Sequence, residues 1–280
     1  MKHLLPFQLF EAHASGLTPD QEEFLNSFTK GIWSVKGIWS VNPETGLVDV
    51  RGNFNCDQGG LKNLLGISFG HVSLNFFCYE NQLTSLEGAP QTVGGGFLCN
   101  DNLLTTLVGA PQTVGESFFC YGNQLTTLEG APRTVGGDFF CARNQLTSLE
   151  GAPQTVGGYF YCYTNRLTSL AGAPQTVDGF FSCDAFELER GEWNPSGWLK
   201  ILSTGKPAAQ KLMKTLPYLD PAYWLELHSS NRRDFNDIWM GYRQDPEVRK
   251  TKLFQEVEAA LSGRSLKNLE DLQDLRDFGL

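Results

Sequence analysis

GGDFFCARNQLTSLEGAPQTV, residues 136–156, recurs along the chain with little change. The other close copies are SLNFFCYENQLTSLEGAPQTV from Ser73, GGGFLCNDNLLTTLVGAPQTV from Gly94, GESFFCYGNQLTTLEGAPRTV from Gly115 and GGYFYCYTNRLTSLAGAPQTV from Gly157. Cys78, Cys99, Cys120, Cys141, Cys162 and Cys183 stand 21 residues apart, and Cys56 stands 22 before the first, so every cysteine in the chain shares one phase. A period of this length marks a solenoid, because a unit so small cannot bury its own apolar face and must stack on its neighbours. A looser unit at 51–72 opens the series and a truncated one closes it near Leu188.

Within each unit the order is Phe-x-Cys-x-x-Asn-x-Leu-x-x-Leu, then Gly-Ala-Pro. Strand alternation puts Phe76, Phe97, Phe118, Phe139 and Phe160 on the same side as the cysteines two residues later. Cysteine behaves as a small buried hydrophobe, so that side is predicted to face inward and the cysteines to be chemically silent. A metal or redox role would need C-x-x-C spacing or histidine partners, which the units lack. Asn81, Asn102, Asn123, Asn144 and Asn165 follow three residues after each cysteine, where the chain leaves the strand. An amide both donates and accepts, so this row is predicted to satisfy backbone groups of its own turn and of the next coil. Gly-Ala-Pro is read as the extended back of the coil, since proline cannot donate to helix or sheet.

The order matches L-x-L-x-x-N-x-L with Phe and Cys in the first two apolar slots, and the tract Asn-x-Leu-Thr-Ser-Leu with a proline-containing back resembles the bacterial type of leucine-rich repeat. That type is found in secreted effectors and in bacteriophage-encoded proteins; the resemblance covers residues 51–188. These units carry 21 residues with Gly-Gly before the strand, one residue more than the shortest effector units. Some effectors append a ubiquitin-ligase domain with a catalytic cysteine; none follows Cys183 here, so that activity is not carried over. A second resemblance is short. Met1-Lys2 followed by Phe7-Gln8-Leu9-Phe10-Glu11-Ala12 is similar to capsid-targeting leaders of internal head proteins in contractile-tailed phages, which are cut after Leu/Ile-x-Glu. It implies a cut between Glu11 and Ala12, synthesis in the host cytoplasm, packaging in the virion and a host protein as partner.

The formal net charge of −9 is uneven: residues 51–190 carry 6 basic and 12 acidic side chains, and 191–280 carry 13 of each. An acidic repeat region argues against a phosphate-tracking groove, so no nucleic acid is expected. No apolar run is long enough to span a membrane, and none near the start suits a secretory signal, which reads as an intracellular origin. The histidines His3, His13, His71 and His228 are scattered outside any H-E-x-x-H pattern, and Gly-Gly recurs without opening a helix, so neither a metal site nor a phosphate loop is indicated. No catalytic residue and no cofactor are expected.

A stack needs covers at both ends. Thr18, Pro19 and Gln21 form a capping-box start for a helix to about Phe28, and the duplicated GIWSVK-GIWSV of residues 31–41 alternates like a strand. From Glu192 the period becomes helical: Asn194-Pro195, Asp220-Pro221 and Asp245-Pro246 start helices, and a last one is predicted over 266–277. The expected architecture is thus a leucine-rich-repeat solenoid of short parallel strands with an N-terminal cap and an α-helical C-terminal domain. The divisions are a cleavable leader (1–14), a cap (15–50), about seven coils (51–190) and helices (191–280).

If Phe and Cys point inward, the alternate positions line the concave sheet surface. Phe77, Leu98, Phe119, Phe140 and Tyr161 form one row, and Tyr79, Asn100, Tyr121, Ala142 and Tyr163 the next, with Glu80, Asp101, Asp138 and Arg143 at the rim. Such a ladder is expected to bind a protein partner without catalysis. The alternative is an internal virion component serving assembly.

Overall fold

The computed structural model describes residues 16–28 and 38–263. It is a β-solenoid of 21-residue coils with short parallel strands, followed by a helical region. The chain divides into two compact units, residues up to Leu167 with Gly172–Gly191, and Thr168–Ala171 with residues from Glu192 onward. The leader with Glu11 and Ala12, the first copy of the duplication and the helix predicted over 266–277 lie outside the described residues.

Each coil contributes two strands, not one. Phe54–Asn55, Phe76–Phe77, Phe97–Leu98 and their successors to Phe181–Ser182 pair parallel and in register, and Glu187–Leu188 closes this Phe-Cys sheet antiparallel. Thr92–Val93, Thr113–Val114, Thr134–Val135, Thr155–Val156 and Thr176–Val177 form a second sheet of eight strands with Phe69–Val72, β2 (Val48–Arg51) and β1 (Ile38–Val41). Gly-Ala-Pro is therefore not an extended back. The Ala89 N–H donates to the Leu86 carbonyl at 2.9 Å and Gly88 sits at φ 84°, the conformation of the third residue in a type II turn. Only glycine fits there: a Cβ on Gly88 would lie 2.1 Å from the Ile67 carbonyl oxygen of the preceding coil. Proline then leads out of the turn and Thr-Val pairs with the coils on either side.

The strand β2 already pairs parallel with Phe69–Val72, so the stack begins before Arg51, and from Phe54 to Phe181 seven strands of the Phe-Cys sheet make about six turns. Phe76, Phe97, Phe118, Phe139, Phe160 and Phe181 are buried to 0% exposure. Their rings stack from coil to coil, with centroids 5.5 Å apart for Phe76–Phe97 and 5.2 Å for Phe160–Phe181. The leucine pairs, such as Leu146 and Leu149, are buried beside them. The first glycine of Gly-Gly lets coils approach at the corner between the sheets, where a Cβ on Gly136 would fall 2.0 Å from the Gly115 oxygen.

The N-terminal cap is α1 (Pro19–Phe28). Its capping box is complete: Thr18 N–H donates to Gln21 Oε1 at 2.9 Å and Gln21 N–H to Thr18 Oγ1 at 3.3 Å. Gln21 Nε2 also donates to the Leu65 carbonyl, and Phe24 meets Phe54 at 5.9 Å, which covers the first apolar coil. The turn after β1 is held by Asn42, whose carbonyl accepts from Gly46.

The helical unit is built from α2 (Pro195–Ser203), α3 (Pro207–Met213), α4 (Pro221–Ser230), α5 (Arg232–Gln244), α6 (Pro246–Arg249) and α7 (Lys252–Leu261). Asn194 and Asp220 cap α2 and α4 as their proline starts imply. The starts of α3, α5 and α7 add to the three expected; Asn231 and Thr251 cap α5 and α7 without a following proline. The core gathers around Trp224, which contacts Tyr218, Tyr223, Phe235, Trp239 and Tyr242, with the closest ring, Tyr242, at 4.8 Å.

Candidate functional site

The outward face of the Phe-Cys sheet follows from the inward phase of phenylalanine and cysteine. All seven cysteines are free and buried. Burial pushes their thiols up, Cys183 to about 11 and the others further, so none is a thiolate near neutrality. Among the described residues no group of three or more His, Cys, Asp or Glu side chains is placed to hold a metal ion, and no helix is long and apolar enough to cross a membrane. His71 pairs through Nδ1 with Thr92 Oγ1 at 2.8 Å on the Thr-Val sheet, away from the Phe-Cys face.

The asparagine row locks the turn that ends each strand. Asn102 Nδ2 donates to the carbonyls of Cys78 at 2.9 Å and Cys99 at 3.1 Å, while its Oδ1 accepts the Leu83 N–H at 2.9 Å. Asn81, Asn123, Asn144 and Asn165 repeat this pattern on Leu61, Leu104, Leu125 and Leu146. The clamp reaches the preceding coil, not the next one, because the strand carbonyl and leucine N–H left unpaired at each turn lie on that side. The residue just before each asparagine is left-handed, with φ 51° at Glu80, 53° at Asp101, 54° at Arg143 and 54° at Thr164. That conformation costs a non-glycine residue ~1 kcal/mol or more. It throws these side chains to the edge of the face. Gly122 takes the same place in the coil between, where a Cβ would meet Asp101 Oδ1.

On the face itself the first row is present as predicted in phase, but its side chains are half-buried rather than exposed. Phe119 and Phe140 stack with centroids 4.6 Å apart and planes 13° from parallel, and Phe140 meets Tyr161 edge-on at 4.7 Å. Phe77 pairs in register with Leu98, which in turn pairs with Phe119. Part of the ladder's apolar area is thus spent on its own cross-strand contacts. In the second row Tyr79 and Tyr121 are half-buried and Tyr163 is 39% exposed, whereas Asn100 and Ala142 are buried between them. The tyrosines come on alternate strands, about 10 Å apart, and small residues fill the gaps.

A third row escaped the sequence reading. Asn75, Gly96, Ser117 and Asp138 precede each inward phenylalanine, and the row ends in Tyr159 and Phe180. Its first members are polar bridges: Asn75 Oδ1 accepts from Gly96, and Asp138 Oδ1 accepts from Tyr159 N–H at 2.8 Å. Tyr159 and Phe180 instead extend the rings, with Tyr159 at 5.8 Å from Tyr161 and 5.2 Å from Phe180. Their signal was the change of residue type within one phase.

Charge gathers at one end. The Tyr79 hydroxyl hydrogen-bonds Asp57, and that bond, with burial and the charges of Asp57 and Glu80, pushes its pKa up to about 12. Burial raises Tyr121, helped by Asp101 and Glu80 and opposed by Arg143. The arrangement offers aromatic area bordered by carboxylates. No protein-family model, curated protein or solved structure matches the chain.

Proposed function

We propose that the chain is a non-enzymatic protein-binding solenoid of the leucine-rich-repeat type, which holds a protein partner on the outward face of the Phe-Cys sheet. The observation that carries this reading is the continuous half-exposed row Phe77, Leu98, Phe119, Phe140 and Tyr161, widened by Tyr79, Tyr121, Tyr163, Tyr159 and Phe180. Large rings fixed at strand spacing cost little conformational entropy when a partner settles on them, and aromatic side chains dominate the energetics of interfaces. The rim of Glu80, Asp101, Asp138 and Arg143 suits the polar border of such a contact.

Replacing Phe119, Tyr121 and Phe140 together by serine tests the face. None of the three is in the buried inward row, so the circular dichroism spectrum is expected to stay as it is while partner capture is lost. Affinity capture from host lysate, read by mass spectrometry, gives the comparison; an unchanged set of captured proteins would remove the face from consideration.

A further inference from the structure

Resting on that reading of the face, we infer that Tyr79, Asn100 and Tyr121 form a subsite for a cationic side chain of the partner, arginine before lysine. Asn100 is the unusual member. It stands on an outward position between two tyrosines, held in register by Glu80 N–H to the Asn100 carbonyl at 3.0 Å and Asp101 N–H to the Tyr121 carbonyl at 2.9 Å. It is nonetheless only 3% exposed. A side chain on an outward position is covered by its neighbours on the same face, among which stand Tyr79 and Tyr121 in the same row. Its Nδ2 donates to Asp101 Oδ2 at 2.8 Å, but Oδ1 has no hydrogen-bond partner. A buried acceptor without a donor is costly, and the same phase two coils later carries Ala142, which has no such group. The missing partner is a donor.

The surroundings say which donor. Asp57, Glu80 and Asp101 lie along this end of the face, and the one basic side chain of the rim, Arg143, is beyond Tyr121. Strand spacing sets Tyr79 and Tyr121 about 10 Å apart with Asn100 between them, so a flat group can stack on either ring beside Asn100. A guanidinium combines a planar face that stacks on tyrosine with donors pointing in several directions, toward Asn100 Oδ1 and toward the carboxylates. An ammonium shares the charge but stacks less well. Both tyrosines are only half-buried, so the rotamer changes that uncover Asn100 are fast.

The test uses the full chain and two probes of equal shape, N-acetyl-arginine amide and its neutral counterpart N-acetyl-citrulline amide, followed by NMR at the Asn100 side-chain amide and the Tyr79 and Tyr121 rings. The arginine probe is expected to bind about fivefold more tightly than citrulline, as pairing of its charge with the Glu80 and Asp101 carboxylates allows. Asn100→Leu is expected to weaken the arginine probe, and Glu80→Gln with Asp101→Asn to erase the preference. Equal binding of the two probes, or a preference that survives Glu80→Gln with Asp101→Asn, overturns the inference. Its failure is distinguishable from that of the face: partner capture lost in the triple serine variant yet indifferent to Glu80→Gln, Asp101→Asn and Asn100→Leu sinks the cation subsite alone.

Discussion

The coils and the helical unit bury aromatic rings by opposite plans. In the coils one phenylalanine per turn stacks on the next, so Phe118 touches Phe97 on one side and Phe139 on the other, and no ring serves the whole. In the helical unit five rings converge on Trp224. A linear array spreads its stability over nearest-neighbour contacts, whereas a hub concentrates it. Damage should therefore stay local in the first and become global in the second.

The largest effect expected is at the hub. Trp224→Ala opens a cavity beside five aromatic side chains and should cost about 3–5 kcal/mol. Calorimetry should show the helical transition lowered or lost while the strand signal of the coils persists; a joint collapse would break the contrast.

Next comes the asparagine clamp. Asn123→Ala removes partners from the Leu104 N–H and the Cys99 and Cys120 carbonyls. The expected cost is about 2–3 kcal/mol at roughly 1 kcal/mol per buried bond lost. Hydrogen exchange should quicken at Leu104 and its immediate neighbours, and leave the amides of Phe160 and Cys162 protected. Loss of protection along the entire stack would show that the array is less modular than its contacts.

The smallest effect is electrostatic. A phenol that donates to Asp57 is favoured in its neutral form, so its contribution to stability is complete below about pH 10, the ordinary tyrosine value, and fades as pH climbs through about 12. Ultraviolet titration should show a late-ionising tyrosine component that Asp57→Asn brings back toward the ordinary tyrosine value. A titration curve unmoved by that substitution would remove the bond.

What could be read from the sequence was whatever repeats with a single meaning. Phe, Cys and Asn recur at fixed phase, and each has one physical use there, so inward side, turn and face came from spacing alone. The Thr-Val sheet did not, because three residues between proline and Gly-Gly carry no alternation and look like loop; parallel pairing is supplied by the coils on either side, not by the segment. The left-handed turn position was hidden because Glu80, Asp101, Arg143 and Thr164 occupy it, and the single glycine of the row, Gly122, looks like ordinary variation. At the site, the row ending in Tyr159 and Phe180 was missed because its character changes halfway, and Asn100 looked like ordinary variation in a row of tyrosines. In the helical region the starts marked by Asp or Asn before proline were legible, while Asn231 and Thr251 had only a side-chain oxygen to signal them.

The asparagine clamp also gives the stack a direction in time. Asn81 closes hydrogen bonds on Cys56 and Leu61, Asn102 on Cys78 and Leu83, and so on to Asn165 on Cys141 and Leu146. A chain leaving the ribosome from its N-terminus therefore finishes each turn only when the following one has emerged, about 20 residues late. During synthesis one incomplete turn is always present at the growing end, and after Asn165 the clamp gives way to Asp184, which accepts the Thr164 and Asn165 N–H groups instead.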